Sequence, residues 1–247
     1  MDPYRKTGVT VGVLFISATV ASILGSVFIG SILEAPNYLT GISAHGSGLI
    51  VGVLFFLIAA ISAVATSFML FPILRKYIES LALGYVVLRT FENVLYVLSA
   101  MSLLVMLTVS QKYAAGAVDA SFYPALGTLL LALQSWAILL GCLILLGLGS
   151  MALNYVLYQS KLVPRWLSAW GLIGAALAVL YGLLGIFGVG MGFDLGNDIL
   201  FMLASPYALL GVPIHVQEMV FAVWLIVKGF NPSVIQLSLE KHNAKRS

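Results

Sequence analysis

The sequence predicts an all-α protein that crosses a membrane six times, with both ends of the chain on the cytoplasmic side. Composition is the first reason. Of the 247 residues, 61% are hydrophobic and only 9% are charged, whereas an average soluble domain is about 25% charged. The mean hydropathy is +1.08. Most side chains are therefore expected to face lipid or other apolar side chains.

The lengths of the apolar stretches are the second reason. A helix needs roughly 20 apolar residues to cross about 30 Å of hydrocarbon. Six stretches meet this requirement, at residues 8–33, 48–71, 81–109, 124–158, 166–187 and 206–230. The fourth would span roughly 50 Å at 1.5 Å per residue, so it must tilt or extend beyond the bilayer. We predict one six-helix transmembrane domain over residues 1–230 and a basic cytoplasmic tail over residues 231–247.

The positions of lysine and arginine predict the orientation, because loops rich in these residues stay in the cytoplasm. Lys112 falls in the loops of one side, and Arg89 falls inside a helix. The other ten basic residues fall on the opposite side: Arg5, Lys6, Arg75, Lys76, Lys161, Arg165, Lys228, Lys241, Lys245 and Arg246. Contact with anionic membrane lipids accounts for this excess, so the net charge of +3 gives no argument for nucleic-acid binding.

A polar stripe interrupts the third apolar stretch. Arg89, Glu92, Asn93 and Tyr96 follow one another at helical spacing, which places them on one face of a helix. Ionisable residues within a membrane helix are functional candidates by default. The stripe is therefore where a function is first sought.

Counting residues from the cytoplasmic helix ends brings the sixth helix to the same level. Arg89 and Glu92 lie roughly 12 and 17 Å deep, and Glu218 lies roughly 18 Å deep, at 1.5 Å per residue. His215 is one turn further out. Three unpaired charges facing lipid would cost on the order of 9 kcal/mol. If the third and sixth helices touch, these four residues are expected to form one buried cluster.

The charges of this cluster do not balance. One arginine with two glutamates leaves one excess negative charge in a medium that does not tolerate it. A protonated glutamate, a protonated His215, a bound cation or metal, or a cationic ligand would each restore neutrality. The sequence leaves these four solutions open.

Three hypotheses for the function follow. The first is that the cluster binds or moves a small amphipathic or lipid-like molecule, with Arg89 pairing an anionic group and the glutamates setting the proton or cation balance. The second is a metal-dependent hydrolase in which Glu92, His215 and Glu218 hold the metal and leave a position open for water. The third is a structural or assembly role in which buried ion pairs only fix helix packing, and stripes of small residues are compatible with a partner or a homo-oligomer.

Two residues of the fourth helix are secondary candidates for the ligand site, Gln134 and Trp136, although an interhelical hydrogen bond is the commoner role for such residues and for Asn154. The single cysteine, Cys142, has no partner for a disulfide or a cysteine-based metal site. There is no Gly-x-Ser-x-Gly, His-Glu-x-x-His or phosphate-loop motif. No cofactor is predicted.

The chain resembles a family of prokaryotic membrane proteins known as domain of unknown function 4386. The Arg-x-x-Glu step at Arg89 and Glu92, the later Glu218, and the closing phrase Trp-Leu-Ile-Val-Lys-Gly-Phe at residues 224–230 carry the resemblance. It implies a six-helix fold over nearly the whole chain and a location in the inner, cytoplasmic membrane. It implies no established activity.

Overall fold

The computed structural model describes residues 2–33, 37–116, 122–188 and 208–236. Six helices within these ranges are long and apolar enough to cross a membrane, which confirms the predicted fold class. The helices, in chain order, are α1 Pro3–Leu33, α2 Tyr38–Ala44, α3 Gly46–Leu74, α4 Glu79–Ala114, α5 Phe122–Ile138, α6 Leu146–Ser160, α7 Arg165–Ile186 and α8 Ala208–Val227. Residues 237–247 of the predicted tail lie outside the described residues.

The predicted long fourth span is one continuous helix of 39 residues, Phe122–Ser160. Its middle, Leu139–Leu145, is a π-helical segment that joins α5 to α6. A π-helical segment is wider than an α-helix and is often found at functional sites. The hydropathy of the sequence predicts the span but not this local change of winding.

The six spanning helices are apolar on the outside and carry polar groups inside. Large apolar side chains such as Ile61 and Leu129 are 71% and 67% exposed. Buried polar or charged residues include Ser62, Thr66 and Gln134. A soluble protein rarely exposes so much contiguous apolar surface. This arrangement suits a lipid environment and makes the chain a multi-pass membrane protein.

The spanning helices form a ring. Along it, α1 packs against α3, α3 against α4, α4 against α6, α6 against α7, α7 against α8, and α8 against α1. Glycines permit close approach at several of these contacts. A Cβ atom at Gly174 of α7 would lie only 2.9 Å from the backbone nitrogen of Ile214 in α8. Around this ring, α4 and α8 are three steps apart in either direction, so they lie on opposite sides.

Two apolar cores fill the ring at different levels. The basic-end core includes Phe15, Tyr85 and Phe221 and lies toward the end of the bundle that carries most of the described lysines and arginines. The opposite-end core includes Phe56 and Tyr96. Tyr85 and Tyr96 belong to the same helix, so the residues between them lie where the two cores meet. The polar stripe predicted on the third span is in this position.

The basic end of α8 is held by Arg5 of α1. Its guanidinium donates hydrogen bonds to the carbonyl oxygens of Leu225, Ile226 and Val227 at 2.8, 2.5 and 3.2 Å. These carbonyls have no partner within the helix, and a cation also suits the negative end of the helix dipole. Gly229 follows with a φ of 75°, a conformation that glycine adopts without steric cost. This contact fixes the depth of α8 relative to α1.

Candidate functional site

Arg89 lies at the centre of the ring and is shared by two carboxylates. Its Nη1 atom is 3.1 Å from Oε2 and 3.3 Å from Oε1 of Glu92. The same Nη1 atom is 3.6 Å from Oε1 of Glu218. Arg89, Glu92 and Glu218 are only 4%, 5% and 8% exposed. A buried ion pair between the third and sixth spans, Arg89–Glu218, is thus present as predicted.

Long side chains make this contact across the ring. Arg89 and Glu92 are three residues apart on α4 and therefore share a face, whereas Glu218 comes from α8 on the opposite side. The backbones of α4 and α8 make little direct contact, because each helix packs mainly against its own neighbours in the ring. The equal depths predicted for Glu92 and Glu218 are confirmed, since one nitrogen atom reaches both.

Aromatic rings close the site on the side of the basic end. The guanidinium carbon of Arg89 is 5.7 Å from the centre of the Phe15 ring of α1, within the range of a cation–π interaction. Phe15 in turn packs edge-on against Phe221 of α8, with ring centres 5.8 Å apart. The site is thus shielded from the cytoplasmic side that the sequence predicts.

Two buried polar atoms at this site have no hydrogen-bond partner among the described residues. They are Nε of Arg89 and the hydroxyl of Tyr85. Tyr85 is 1% exposed and lies one turn before Arg89 on α4. Thr66 of α3 lies beside the Tyr85 hydroxyl. The Thr66 hydroxyl donates to the carbonyl of Ala63 at 2.6 Å, and its oxygen can still accept a hydrogen bond from Tyr85. Leaving a buried donor unpaired costs about 1–3 kcal/mol, and more when the group is charged.

We call Tyr85, Arg89, Glu92 and Glu218 the Arg89 cluster. Tyr85 was not among the residues predicted from the sequence, although its position four residues before Arg89 continues the polar stripe on the same face. Every other charged residue that the structure describes lies at a helix end or in a connection. With both glutamates ionised, the cluster carries one net negative charge with no other ionised group at its depth in the described chain.

The two remaining members of the stripe are buried but bond elsewhere. Asn93 donates from Nδ2 to the backbone carbonyl of Arg89 at 2.7 Å, a bond within its own helix. The Tyr96 hydroxyl is 2.8 Å from the hydroxyl of Ser22 in α1, and its ring packs on Phe56. Tyr96 therefore belongs to the wall of the site on the side away from the basic end.

His215 is not brought into the cluster. It is exposed, and its Nδ1 atom is 2.9 Å from the carbonyl oxygen of Gly211 in its own helix. One residue step turns a side chain by about 100° around the helix axis, so His215, next to the buried Ile214, lies at the margin of the packed face of α8. No three histidine, cysteine, aspartate or glutamate side chains in the described ranges are placed to hold a metal. The three metal ligands of the hydrolase hypothesis are thus not assembled.

A second polar network lies on the other side of α8. Gln217 donates from Nε2 to Oδ1 of Asn154 in α6 at 3.2 Å and to the carbonyl of Leu167 in α7 at 3.3 Å. Asn154 also donates to the Ser150 carbonyl at 2.9 Å. The Asn154 side chain occupies the space that a Cβ atom on Gly171 would need. The interhelical role predicted for Asn154 is confirmed, whereas its partner Gln217 was not identified from the sequence.

The secondary candidates lie in α5. Gln134 is 1% exposed and Trp136 is 37% exposed. Residues two positions apart on a helix point in different directions, which agrees with this difference in burial. Their part in a ligand site stays a prediction.

The π-helical segment packs directly behind the cluster. A Cβ atom on Gly141 would lie 3.1 Å from the backbone carbonyl oxygen of Glu92. This glycine lets the widened segment approach α4 at the residue that holds Arg89. The local winding of the fourth span is thus part of what positions Glu92.

Comparison with known proteins identifies the family. The family model described as domain of unknown function DUF4386 matches residues 10–229, a range that includes all of the Arg89 cluster. The chain belongs to this family, as the resemblance implied. Neither the curated proteins nor the solved structures contain a significant match.

Proposed function

We propose that this member of the DUF4386 family binds a small amphipathic, lipid-like molecule at the Arg89 cluster, for its recognition or its movement in the membrane. The observation that supports the proposal is the buried Nε of Arg89, a charged donor without an acceptor in the described chain. An acceptor oxygen in the head group of a ligand would satisfy it. The nearby Tyr85 hydroxyl would form a second bond to the same head group.

The surroundings of the cluster favour an amphipathic molecule over a purely polar one. The cluster lies between the basic-end core and the opposite-end core. A polar head group bound to Arg89 would leave the attached chain among apolar side chains, where burial contributes about 25 cal/mol per Å². The proposed ligand therefore has a polar head and an apolar chain.

The geometry argues against one part of the sequence-based hypothesis. That hypothesis had Arg89 pairing an anionic group of the ligand. Nη1 of Arg89 is already shared by Glu92 and Glu218, and the two carboxylates outnumber the single guanidinium. An anionic head group would add a negative charge beside two carboxyl groups that already share the single guanidinium. We therefore propose recognition through Nε and the Tyr85 hydroxyl instead.

A purely structural role is the competing function, and one observation favours it. All three charged groups of the cluster already have an ionic partner, as in a network that only fixes the positions of α4 and α8. Such a network predicts that removing an unpartnered atom is harmless. The binding proposal predicts that the same change weakens binding.

Titration of the protein in lipid nanodiscs with decanoylcholine tests the two roles. This ester has an acceptor oxygen and a ten-carbon apolar chain. We expect saturable binding of one molecule per protein by calorimetry, after subtraction of empty nanodiscs. Arg89→Lys keeps the positive charge but lacks Nε, and Tyr85→Phe removes only the hydroxyl. Each is expected to weaken binding about tenfold, the loss of a hydrogen bond worth about 1.4 kcal/mol.

Tyr4→Phe is the matched control, because the Tyr4 hydroxyl accepts a hydrogen bond from Lys76 at the basic end, far from the cluster. It should bind decanoylcholine as the unaltered protein does. The proposal would be wrong if the unaltered protein bound no decanoylcholine saturably. It would also be wrong if Tyr85→Phe and Arg89→Lys bound decanoylcholine as tightly as the unaltered protein does. Either result would favour the structural role.

A further inference from the structure

We infer that the head group bound by the Arg89 cluster is cationic and that its binding releases one proton from the cluster. This inference rests on the proposed function and adds the charge of the ligand and a proton exchange to it. It follows from the charge balance and from the contact of both glutamates with one nitrogen atom of Arg89.

The charge balance requires a neutralising partner in every state of the site. Arg89 compensates one of the two carboxylates, and the structure describes no other basic side chain at this depth. An uncompensated charge in an apolar interior is avoided by protonation or pairing. A proton neutralises the second carboxylate when the site holds no cation, and a cationic head group neutralises it when one is bound.

The exchangeable proton belongs to the pair of Glu92 and Glu218. Glu92 brings both carboxylate oxygens within 3.3 Å of Nη1 of Arg89, and Glu218 reaches the same atom at 3.6 Å. Because one guanidinium nitrogen serves both carboxyl groups, the two act as a coupled pair that shares one proton.

The other helices around the site offer no competing titratable group. The whole of α3 lacks one, and those of α1 are confined to its first turn, at Tyr4, Arg5 and Lys6. Tyr85 belongs to α4, and His215 of α8 is exposed and bonded to Gly211. Of the remaining neighbours, α6 carries Tyr155 and Tyr158, α7 carries Arg165 and Tyr181, and the π-helical segment carries Cys142. Apart from Glu92 and Glu218, no carboxyl group of these helices lies at the depth of the cluster in the described ranges.

The exchange balances in atoms and charge. In the ligand-free state, Arg89 is positive and the pair of Glu92 and Glu218 holds one proton, so that one carboxyl group is neutral and the other is ionised. On binding, the O–H bond of the neutral carboxyl group breaks, the proton leaves to solvent, and the cationic head group balances the new carboxylate. The net charge of the site is zero before and after.

A matched pair of esters tests the charge of the head group. Decanoylcholine is cationic, and neohexyl decanoate has the same shape with a carbon in place of the ammonium nitrogen. In nanodiscs of zwitterionic lipid, we expect the cationic ester to bind at least about tenfold more tightly. Equal affinities would contradict the inferred positive charge.

Proton release is measured in the same titrations. Calorimetry in buffers of different ionisation enthalpy measures the number of protons released, over a range from about pH 5 to pH 8. At the acidic end of this range, about one proton should be released per decanoylcholine bound. The neutral ester should release none. The dissociation constant for the cationic ester should fall by about tenfold for each unit rise in pH over the range in which the ligand-free pair of glutamates holds its proton. In a further titration, sodium chloride replaces the ester. Proton release by sodium alone would contradict the inference that the site takes an organic cationic head group.

Glu218→Gln leaves one carboxylate for the one guanidinium, so the site has no proton to exchange. It should abolish proton release and the preference for the cationic ester, whereas Glu79→Gln, at the exposed start of α4, should keep both. Binding of decanoylcholine without proton release at any pH in the range would overturn the exchange but leave the proposed function intact. Failure of both esters to bind saturably would overturn the proposed function itself.

Discussion

The Arg89 cluster and the Asn154–Gln217 network both join helices across the interior of the bundle, and they differ in their chemistry. The Asn154–Gln217 network is neutral, and its amide groups donate to the Asn154 side chain and to backbone carbonyls in α6 and α7. No buried polar atom of these two residues lacks a partner in the described chain. The Arg89 cluster is charged, unbalanced and includes two atoms without a partner.

The contrast arises from two adjacent residues of α8. Gln217 and Glu218 are both buried, but a step of about 100° around the helix turns Gln217 toward α6 and α7 and Glu218 toward α4. A fully satisfied network stabilises one packing of the helices, whereas an unsatisfied one leaves bonding capacity for another molecule. The comparison therefore separates a site that holds the fold from a site that is suited to a ligand.

The largest expected effect is that of Arg89→Ala. It leaves Glu92 and Glu218 without a positive partner in the interior, and breaking a buried ion pair in this way costs about 3–5 kcal/mol. Thermal or denaturant unfolding in nanodiscs measures the loss. Arg75→Ala removes an exposed arginine and should change the unfolding free energy by no more than about 0.5 kcal/mol. An equally small loss for Arg89→Ala would show that the cluster contributes nothing to stability.

A smaller effect is expected for the neutral network. Asn154→Leu or Gln217→Met alone leaves a buried amide without its partner and should cost about 1–3 kcal/mol of unfolding free energy. The double variant removes both groups, so it should lose less than the sum of the two single losses, with a coupling of about 0.5–3 kcal/mol. Decanoylcholine binding should persist in all three variants. Loss of decanoylcholine binding in these variants would mean that the Asn154–Gln217 network and the Arg89 cluster are not separate in function.

The smallest change, but the one with a different sign, is expected for Glu218→Gln. The variant leaves Glu92 as the one ionised partner of Arg89 and keeps the zero net charge of the ligand-free site, so the unfolding free energy should stay the same or rise by up to about 1 kcal/mol. The measurement is made at neutral pH, with Glu79→Gln as the control. A loss comparable with that of Arg89→Ala would mean that Glu218 is a required structural partner of the arginine.

Much of the site could be predicted from the sequence, because the number of residues from a helix end gives an approximate depth in the membrane. Glu92 and Glu218 were placed at one level by counting, with Arg89 about one turn away, and in the structure one nitrogen atom of Arg89 reaches both glutamates. Rotation around the helix axis could not be obtained in the same way. The apolar residues around α8 give little indication of which side faces the ring, so His215 was included in the cluster and Gln217 was missed.

By itself, the sequence determined that this protein crosses a membrane six times, that it has an unbalanced set of charges at mid-depth, and that it resembles the DUF4386 family. These properties follow from composition, residue spacing and local motifs. Only the tertiary structure decided that α4 and α8 lie opposite each other, that one nitrogen of Arg89 serves both glutamates, and that its Nε is left without a partner. These facts depend on the order of the helices in the ring and on the rotation of each helix about its axis. Both are determined by packing between parts of the chain that are distant in sequence.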